Sequence, residues 1–188
     1  MAQIVILFSG RGGNLENLIQ KLHGQNGLTV AAALTNNPSA PGIDRAKNLG
    51  VETVVVPHAN YPSREAFDQA LIEAIEPFKP DRVVLAGFMR ILTPLFTRRF
   101  ETINIHPSLL PLFKGTDAIR RSFESGMDHG GVSVHRVNEE LDGGEILAQT
   151  RVPILPGDTY ESFANRVHEA EFELYPHAIR KILASKGS

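Results

Sequence analysis

The chain has 188 residues, of which 42% are hydrophobic, and this supports one domain with a substantial core. Its formal net charge of -2, from 19 basic and 21 acidic residues, gives no overall field that would attract nucleic acid or an anionic membrane. The absence of cysteine excludes disulfides, thiol nucleophiles and thiolate metal ligands, and is in keeping with a reducing cytoplasm. The N-terminal apolar run is too short to span a membrane and has no basic leader, so we expect a strand there and no signal peptide.

The first part of the chain alternates strand-like apolar runs with segments of helical periodicity. Strands are predicted at residues 3–8, 28–34, 52–56, 82–86 and 102–106. Helices are predicted from the apolar positions Leu15, Leu18, Ile19 and Leu22, at residues 43–48, and after a Ser63 cap through Ile75. This alternation predicts a Rossmann-like α/β fold, with right-handed crossovers and a mostly parallel twisted sheet that has helices on both faces.

After Pro111 the alternation stops. A helix at 117–124 and a turn at 126–131 are followed by two β segments, 131–138 and 146–153. With no helical stretch between them, these segments predict an antiparallel addition to the sheet. The last helix should begin at a Thr159 cap and run to about Leu183 with a disturbance at Pro176.

A glycine-rich turn, Ser9-Gly10-Arg11-Gly12-Gly13-Asn14, joins the first strand to the first helix. Its free backbone amides would point at an anion beside the helix N-terminus, most simply a phosphate. The turn is no Walker A loop, because no Gly-Lys-Ser/Thr follows it, and the second strand does not end in the acidic residue of a dinucleotide site. A tight turn without a ligand is the alternative.

Two polar residues share one face of the strand predicted at 102–106. Asn104 and His106 alternate there with Ile103 and Ile105, and Pro107 then ends the strand. His106 should therefore lie at the carboxyl end of the strand, where open α/β sheets bind their ligands. An amide donor beside an imidazole suits acyl or proton transfer, whereas a structurally satisfied pair at a strand end is the ordinary alternative.

A third polar candidate, Asp142, lies in an acidic loop between the last two β segments. The glycines that follow it, Gly143 and Gly144, would let the backbone hold its carboxylate close to a partner, although a solvated acidic turn is the ordinary alternative. The seven histidines show no ligand spacing such as His-Glu-x-x-His, so no metal site is predicted.

Together these motifs resemble the folate-dependent formyltransferases, and among them the phosphoribosylglycinamide formyltransferase family. The resemblance covers essentially the whole chain and is carried by Ser-Gly-x-Gly-x-Asn-Leu at 9–15, Ala-Gly-Phe-Met-Arg-Ile-Leu at 86–92, Asn-Ile-His-Pro-Ser-Leu-Leu-Pro at 104–111 and Leu-Asp-Gly-Gly at 141–144. It implies a cytoplasmic enzyme of purine biosynthesis, monomer or homodimer, that acts on small molecules. The formyl group would pass from the co-substrate 10-formyltetrahydrofolate to the glycyl amine of 5'-phosphoribosylglycinamide, without a metal.

The resemblance also assigns roles to individual residues. It implies that Asn104, His106 and Asp142 form the catalytic trio. Binding of the phosphorylated substrate falls on Gly12, Gly13 and Asn14 for its phosphate and on Glu171 for its amine. Folate binding falls on Arg64, Met89, Arg90, Ile91, Leu92, Asn138, Glu139, Glu140 and Leu141. Residues 1–188 would then be one formyltransferase domain, with a phosphate-binding half at 1–100 and a catalytic and folate-binding half at 101–188.

The implied chemistry is direct attack of the amine on the formyl carbon, through a tetrahedral oxyanion and without an acyl-enzyme. Asn104 and protonated His106 would donate to the oxyanion, and Asp142 would favour the protonated imidazole and help to move the ammonium proton. The chain departs from the family pattern at Arg136 and at residues 114–117, and neither departure is expected to touch the trio.

Three alternatives stay open on sequence grounds. A formyltetrahydrofolate hydrolase shares this domain but normally carries an additional N-terminal regulatory module, for which 188 residues leave no room. A methionyl-tRNA formyltransferase would need a C-terminal tRNA-binding domain and a basic surface. A non-catalytic phosphate- or folate-binding module would keep the glycine turn but would have no use for the trio.

Overall fold

The computed structural model describes residues 1–185. Its strands, β1 to β7, occupy Ala2–Phe8, Leu28–Thr35, Thr53–Val55, Arg82–Leu85, Thr102–His106, His129–Arg136 and Ile146–Pro153. Its α-helices, α1 to α6, occupy Gly13–Leu22, Gly42–Asn48, Arg64–Ile75, Pro94–Thr97, Ala118–Glu124 and Tyr160–Ala184. Two short 3₁₀ turns occupy His58–Asn60 and Glu76–Phe78.

The strands lie in one sheet of order β3-β2-β1-β4-β5-β6-β7. The pairs β1/β2, β1/β4, β2/β3 and β4/β5 are parallel, and β6/β7 is antiparallel. This confirms the predicted fold class, a mostly parallel sheet with an antiparallel addition in the C-terminal third. The chain forms two compact units, residues 1–103 and the described residues from 104 onwards. The assignment of one domain with two functional halves stays a prediction.

The core of the first unit is built on β1. Ile4 to Phe8 are fully buried, which explains why this strand has no polar alternation: a parallel strand covered on both faces is apolar on both. Helix α1 buries the four positions expected from its periodicity, Leu15, Leu18, Ile19 and Leu22. Its polar face is left to solvent, so the glycine turn that precedes it is held between a buried strand and an amphipathic helix.

Helix boundaries in the first unit follow local chemistry. Ser63 caps α3 as predicted, since its hydroxyl accepts a hydrogen bond of 3.1 Å from the Ala66 amide. Helix α4 was not predicted, because its four residues follow Thr93 and begin with Pro94, and a single turn carries no readable periodicity. The 3₁₀ turn at His58–Asn60 was not predicted either.

In the second unit the predicted turn at 126–131 is too long, because β6 begins at His129. The strand ends at Arg136, two residues before the predicted 138. The glycines that suggested a turn are needed for packing. A Cβ atom at Gly130 would lie 2.7 Å from the Phe163 ring, and one at Gly131 would overlap the Leu109 side chain. The second segment, β7, has the predicted bounds.

Helix α6 begins at a capping box, in which the Thr159 hydroxyl accepts from the Ser162 amide and the Ser162 hydroxyl accepts from the Thr159 amide. The disturbance expected at Pro176 does not interrupt the helix. A proline removes one internal hydrogen bond, and here the buried positions Phe163, Val167 and Tyr175 hold the helix by packing. No helix within residues 1–185 combines the length and apolarity that a membrane span requires.

Candidate active site

Strand β5 ends with the two polar residues predicted to share a face. His106 is 6% exposed, and Asn104 is half-buried two positions earlier. In the described part of the chain the side-chain amide of Asn104 makes no hydrogen bond, so its donors are available to a ligand. The alternative of a satisfied strand-end asparagine is therefore disfavoured.

The structure brings His106 and Asp142 together. The imidazole Nδ1 lies 3.5 Å from the Asp142 Oδ2, and both side chains are less than 10% exposed. The imidazole Nε2 donates to the Phe113 carbonyl at 2.8 Å, which fixes the orientation of the ring. A buried carboxylate beside an oriented imidazole is the pairing that proton transfer requires.

The loop that carries Asp142 is shaped for this approach. Asp142 itself has φ of 52°, in the left-handed region that Asp and Asn tolerate better than most residues. A Cβ atom at Gly144 would overlap the Arg136 carbonyl, and one at Gly143 would overlap the Glu140 side chain. The two glycines therefore permit the close turn that aims the carboxylate, as predicted.

Residues 113–115 contact two of the three trio residues, so the expectation that the 114–117 departure leaves the trio untouched is wrong. The Gly115 amide donates to the Asp142 Oδ2 at 2.9 Å, and the Phe113 carbonyl accepts from His106. Phe113 adopts a φ of 54°, which is uncommon for a bulky side chain. Sequence patterns could not reveal these contacts because they are made by backbone atoms.

His135, at the end of β6, is a further group at this site. Its Nε2 lies 3.7 Å from the Asp142 Oδ1 and has no hydrogen-bond partner among the described residues, while its Nδ1 donates to the Arg136 carbonyl at 2.8 Å. Burial lowers the pKa of His135 and outweighs the hydrogen bond to the Arg136 carbonyl and the charge of Asp142, which both raise it, so the Nε2 carries a lone pair at neutral pH. The sequence does not single out His135 as a site residue.

Glu171 lies on α6 and is 6% exposed. Its carboxylate accepts a hydrogen bond of 2.8 Å from His168 Nδ1, and this bond raises the pKa of His168. No hydrogen bond or ion pair joins Glu171 to the trio within the described residues. The structure thus shows a buried, partly neutralised carboxylate, and its role toward an amine stays a prediction.

The glycine turn presents free amides at the start of α1. Gly12 is the N-cap with φ of 80°, and the first internal helix bond runs from the Glu16 amide to the Gly12 carbonyl at 2.8 Å. Within residues 1–185 the amides of Gly13 and Asn14 have no partner. The Oδ1 of Asn14 is also buried without a partner, so both backbone and side chain are left to a ligand.

The predicted folate residues of the first unit form an irregular segment after β4. Met89 and Ile91 are 78% and 53% exposed, and the amides of Arg90, Ile91 and Leu92 make no hydrogen bond in the described structure. Exposed apolar side chains beside free backbone donors suit a flat heterocycle with a polar edge. Arg64, exposed at the start of α3, has a guanidinium without a partner among these residues.

The remaining folate positions form a turn in the second unit. The Glu140 amide donates to the Asn138 side chain at 2.9 Å, and Glu140 pairs with Lys114 at 3.0 Å. Leu141 is 58% exposed directly before Asp142. Residues 1–185 contain no group of three or more His, Asp or Glu side chains placed to hold a metal ion.

Comparison with known proteins identifies the family. The formyl transferase family model matches residues 2–179. Phosphoribosylglycinamide formyltransferase of Escherichia coli (strain K12) is 42% identical over 183 residues, which are 94% of this chain and 84% of that protein. The crystal structure of phosphoribosylglycinamide formyltransferase from Campylobacter jejuni superposes with a TM-score of 0.93 at 46% identity, and covers 97% of each chain.

A longer relative matches as well. The trifunctional purine biosynthetic protein adenosine-3 of Bos taurus is 40% identical over 184 residues, 96% of this chain, but the chain spans only 18% of that protein's length. The further activities in that name belong to that protein. The resemblance drawn from the four sequence motifs is confirmed, and the chain belongs to the formyl transferase family.

Proposed function

We propose that this protein transfers a formyl group from 10-formyltetrahydrofolate to the glycyl amine of 5'-phosphoribosylglycinamide. The observation that carries the proposal is the buried pair His106 and Asp142, 3.5 Å apart, with the partnerless amide of Asn104 on the same strand as His106. A module that only binds phosphate or folate would have no use for this combination, because burying a carboxylate and an imidazole costs stability that binding alone does not repay.

The substrate phosphate fits the start of α1. The free amides of Gly13 and Asn14 point along a helix axis whose N-terminus carries partial positive charge, and a phosphate dianion gains both hydrogen bonds and electrostatic attraction there. The partnerless Oδ1 of Asn14 is an acceptor, which suits a ribose hydroxyl better than a phosphate oxygen. The glycines keep side chains away from this approach.

In the first unit, the irregular segment after β4 suits the folate. The exposed Met89 and Ile91 side chains offer apolar contact to the pterin, and the free amides of Arg90 to Leu92 offer donors to its polar edge. Arg64, with its exposed guanidinium, suits a carboxylate of the glutamate tail.

The reaction begins when the neutral glycyl nitrogen attacks the formyl carbon, so that a C–N bond forms and the carbonyl electrons move to oxygen. The Asn104 amide donates to this oxyanion. His106 donates from Nε2, and that donation replaces its present bond to the Phe113 carbonyl, so residues near Phe113 must shift as the substrate binds. The bond from carbon to the folate N10 then breaks, and N10 receives a proton.

The glycyl nitrogen becomes positively charged as the C–N bond forms, and the proton that it then loses has a route through Asp142 to the departing folate N10. The carboxylate faces the imidazole of His106 on one side and the partnerless Nε2 of His135 on the other, at 3.5 and 3.7 Å. Both distances are slightly longer than a hydrogen bond and leave no room for a water between the groups, so direct proton exchange requires the side chains to close by about 0.5–0.8 Å. Glu171, buried on α6, is suited to hold the substrate amine before attack.

One assay tests the proposal against its rivals. Consumption of 10-formyltetrahydrofolate is followed by absorbance with and without phosphoribosylglycinamide. A transferase consumes the donor only when the amine is present, a hydrolase consumes it in both cases, and a binding module in neither. Consumption that does not depend on the amine, or none at all, would refute the proposal.

A further inference from the structure

The segment from Gly87 to Thr93 has no regular secondary structure, although it lies between β4 and α4. The Gly87 carbonyl accepts a hydrogen bond of 3.0 Å from the Ser9 amide, but between the two ends the amides of Arg90, Ile91 and Leu92 have no partner in the described structure. A segment of this kind would have to be ordered by its ligand, at a cost in conformational entropy that weakens binding. Its two ends, however, are each held by a buried side chain.

At the first end, the Ser9 hydroxyl accepts a hydrogen bond of 2.8 Å from the Met89 amide. The same hydroxyl donates to the Asn36 Oδ1 at 2.6 Å. Ser9 and Asn36 are only 8% and 4% exposed. Because the hydroxyl hydrogen is committed to Asn36, its lone pairs face the Met89 amide, and this amide has a fixed acceptor without any ligand.

At the second end, Asp68 of α3 accepts from Thr93 twice. Its Oδ2 receives the Thr93 amide at 2.7 Å and the Thr93 hydroxyl at 2.6 Å. Asp68 is 1% exposed, and its Oδ1 has no hydrogen-bond partner within residues 1–185. Burial raises the pKa of Asp68 and makes this carboxylate costly, yet both of its hydrogen bonds serve the end of one loop.

We propose that Ser9 and Asp68 are positioning residues that hold both ends of Met89–Leu92 in the conformation that receives the pterin ring. This inference rests on the proposed function, in which that segment binds the formyl donor. Neither residue belongs to the trio. Each instead fixes one backbone amide, so the segment is ordered before the ligand arrives and less binding energy is lost to ordering.

The test compares Ser9→Ala, Asp68→Ala and Asp68→Asn. Isothermal titration without the amine substrate gives the Kd for 10-formyltetrahydrofolate, and steady-state kinetics give KM for both substrates. Ser9→Ala and Asp68→Ala should each weaken folate binding roughly tenfold, with KM for the amine changed less than about twofold. Asp68→Asn should restore most of the affinity, because its oxygen can replace Oδ2 and its NH₂ group can take the place of the partnerless Oδ1.

The double variant Ser9→Ala with Asp68→Ala should lose less than the product of the single losses, since releasing one end already frees the segment. Asp81→Ala is the matched control: its carboxylate also accepts a backbone amide, that of Gln3 at 2.8 Å, but at the opposite ends of β1 and β4. It should leave the folate Kd unchanged. Equal losses in Asp81→Ala and Asp68→Ala, or losses that multiply in the double variant, would overturn the positioning role.

Two outcomes separate the two proposals. If the unaltered protein does not bind 10-formyltetrahydrofolate, the proposed function is wrong and the positioning role with it. If the unaltered protein binds the folate, and Ser9→Ala and Asp68→Ala bind it equally well, the positioning role alone is wrong.

Discussion

Replacing Asp142 by Asn should abolish most of the catalysis while preserving the fold. Asn tolerates the φ of 52° at this position, and its side-chain oxygen can still accept the Gly115 amide that Asp142 accepts at 2.9 Å. What the variant removes is the negative charge 3.5 Å from His106 Nδ1. Comparing the variant with the unaltered protein therefore measures mainly the effect of that charge.

The expected loss of kcat follows from the distance between the Asp142 carboxylate and the His106 imidazole. Two unit charges at 3.5 Å attract by about 5 kcal/mol at an effective dielectric constant of about 20, which is an upper figure for this pair. General acid–base assistance contributes about a hundred- to ten-thousand-fold, or about 3 to 5 kcal/mol at about 1.4 kcal/mol per factor of ten. We therefore expect kcat to fall by about a hundred- to a thousand-fold, and its pH profile to change.

The assay is steady-state formyl transfer between pH 5 and 9, with folate Kd and unfolding free energy as controls. Asp117→Asn is the matched variant, since Asp117 also has a positive φ, 54°, but is exposed and outside the trio. Asp117→Asn should have normal kcat.

The double variant His106→Asn with Asp142→Asn should lower kcat little more than the worse single change does, because the two residues act as a unit. Near-normal turnover with an unshifted pH profile, or losses that multiply fully, would refute the role of Asp142.

Three further predictions concern binding, pH and metals. Gly12→Val should raise KM for the phosphorylated substrate more than Gly13→Val does. Gly12 has φ of 80°, and a Cβ atom there would lie 2.9 Å from the Gly42 Cα, whereas Gly13 has no positive φ. An equal rise in the KM for the folate would indicate misfolding. His168→Ala should lower the unfolding free energy most below about pH 6.5, where His168 is protonated in the folded and the unfolded protein. The loss of unfolding free energy should shrink as pH rises through the raised pKa of His168. A loss that does not change with pH would contradict the pairing with Glu171. Exhaustive chelation should leave kcat unchanged, and activity restored by one divalent ion would contradict this.

Much of the fold could be predicted because local chemistry and tertiary packing agree in it. The apolar run of β1, the four-residue face of α1 and the Ser63 cap each need only their own neighbours in sequence. The predicted start of β6 was wrong for the opposite reason. Gly130 and Gly131 signal a turn locally, but they are small because Phe163 and Leu109 pack against them from distant parts of the chain.

The family resemblance implies the trio, which stays a prediction, but it does not indicate the surroundings of these residues. His106 and Asp142 are 36 positions apart, and only folding shows that they lie 3.5 Å from each other. The contacts of Phe113 and Gly115 use backbone carbonyl and amide groups that every residue possesses. Such contacts leave no sequence signal, and the same holds for the Met89 amide on the Ser9 hydroxyl.

Polar groups without partners connect these observations. A folded chain normally satisfies its buried polar groups, because each unmade hydrogen bond costs about 1–3 kcal/mol. In the described structure the buried exceptions include the Asn14 Oδ1 and the His135 Nε2, and the amides at the start of α1 and those of Arg90 to Leu92 have no protein partner either. Each lies within or beside a motif or site that the sequence had singled out for phosphate, folate or catalysis. Stability alone would have removed such groups, so their presence at these places is the physical argument that ligands complete them.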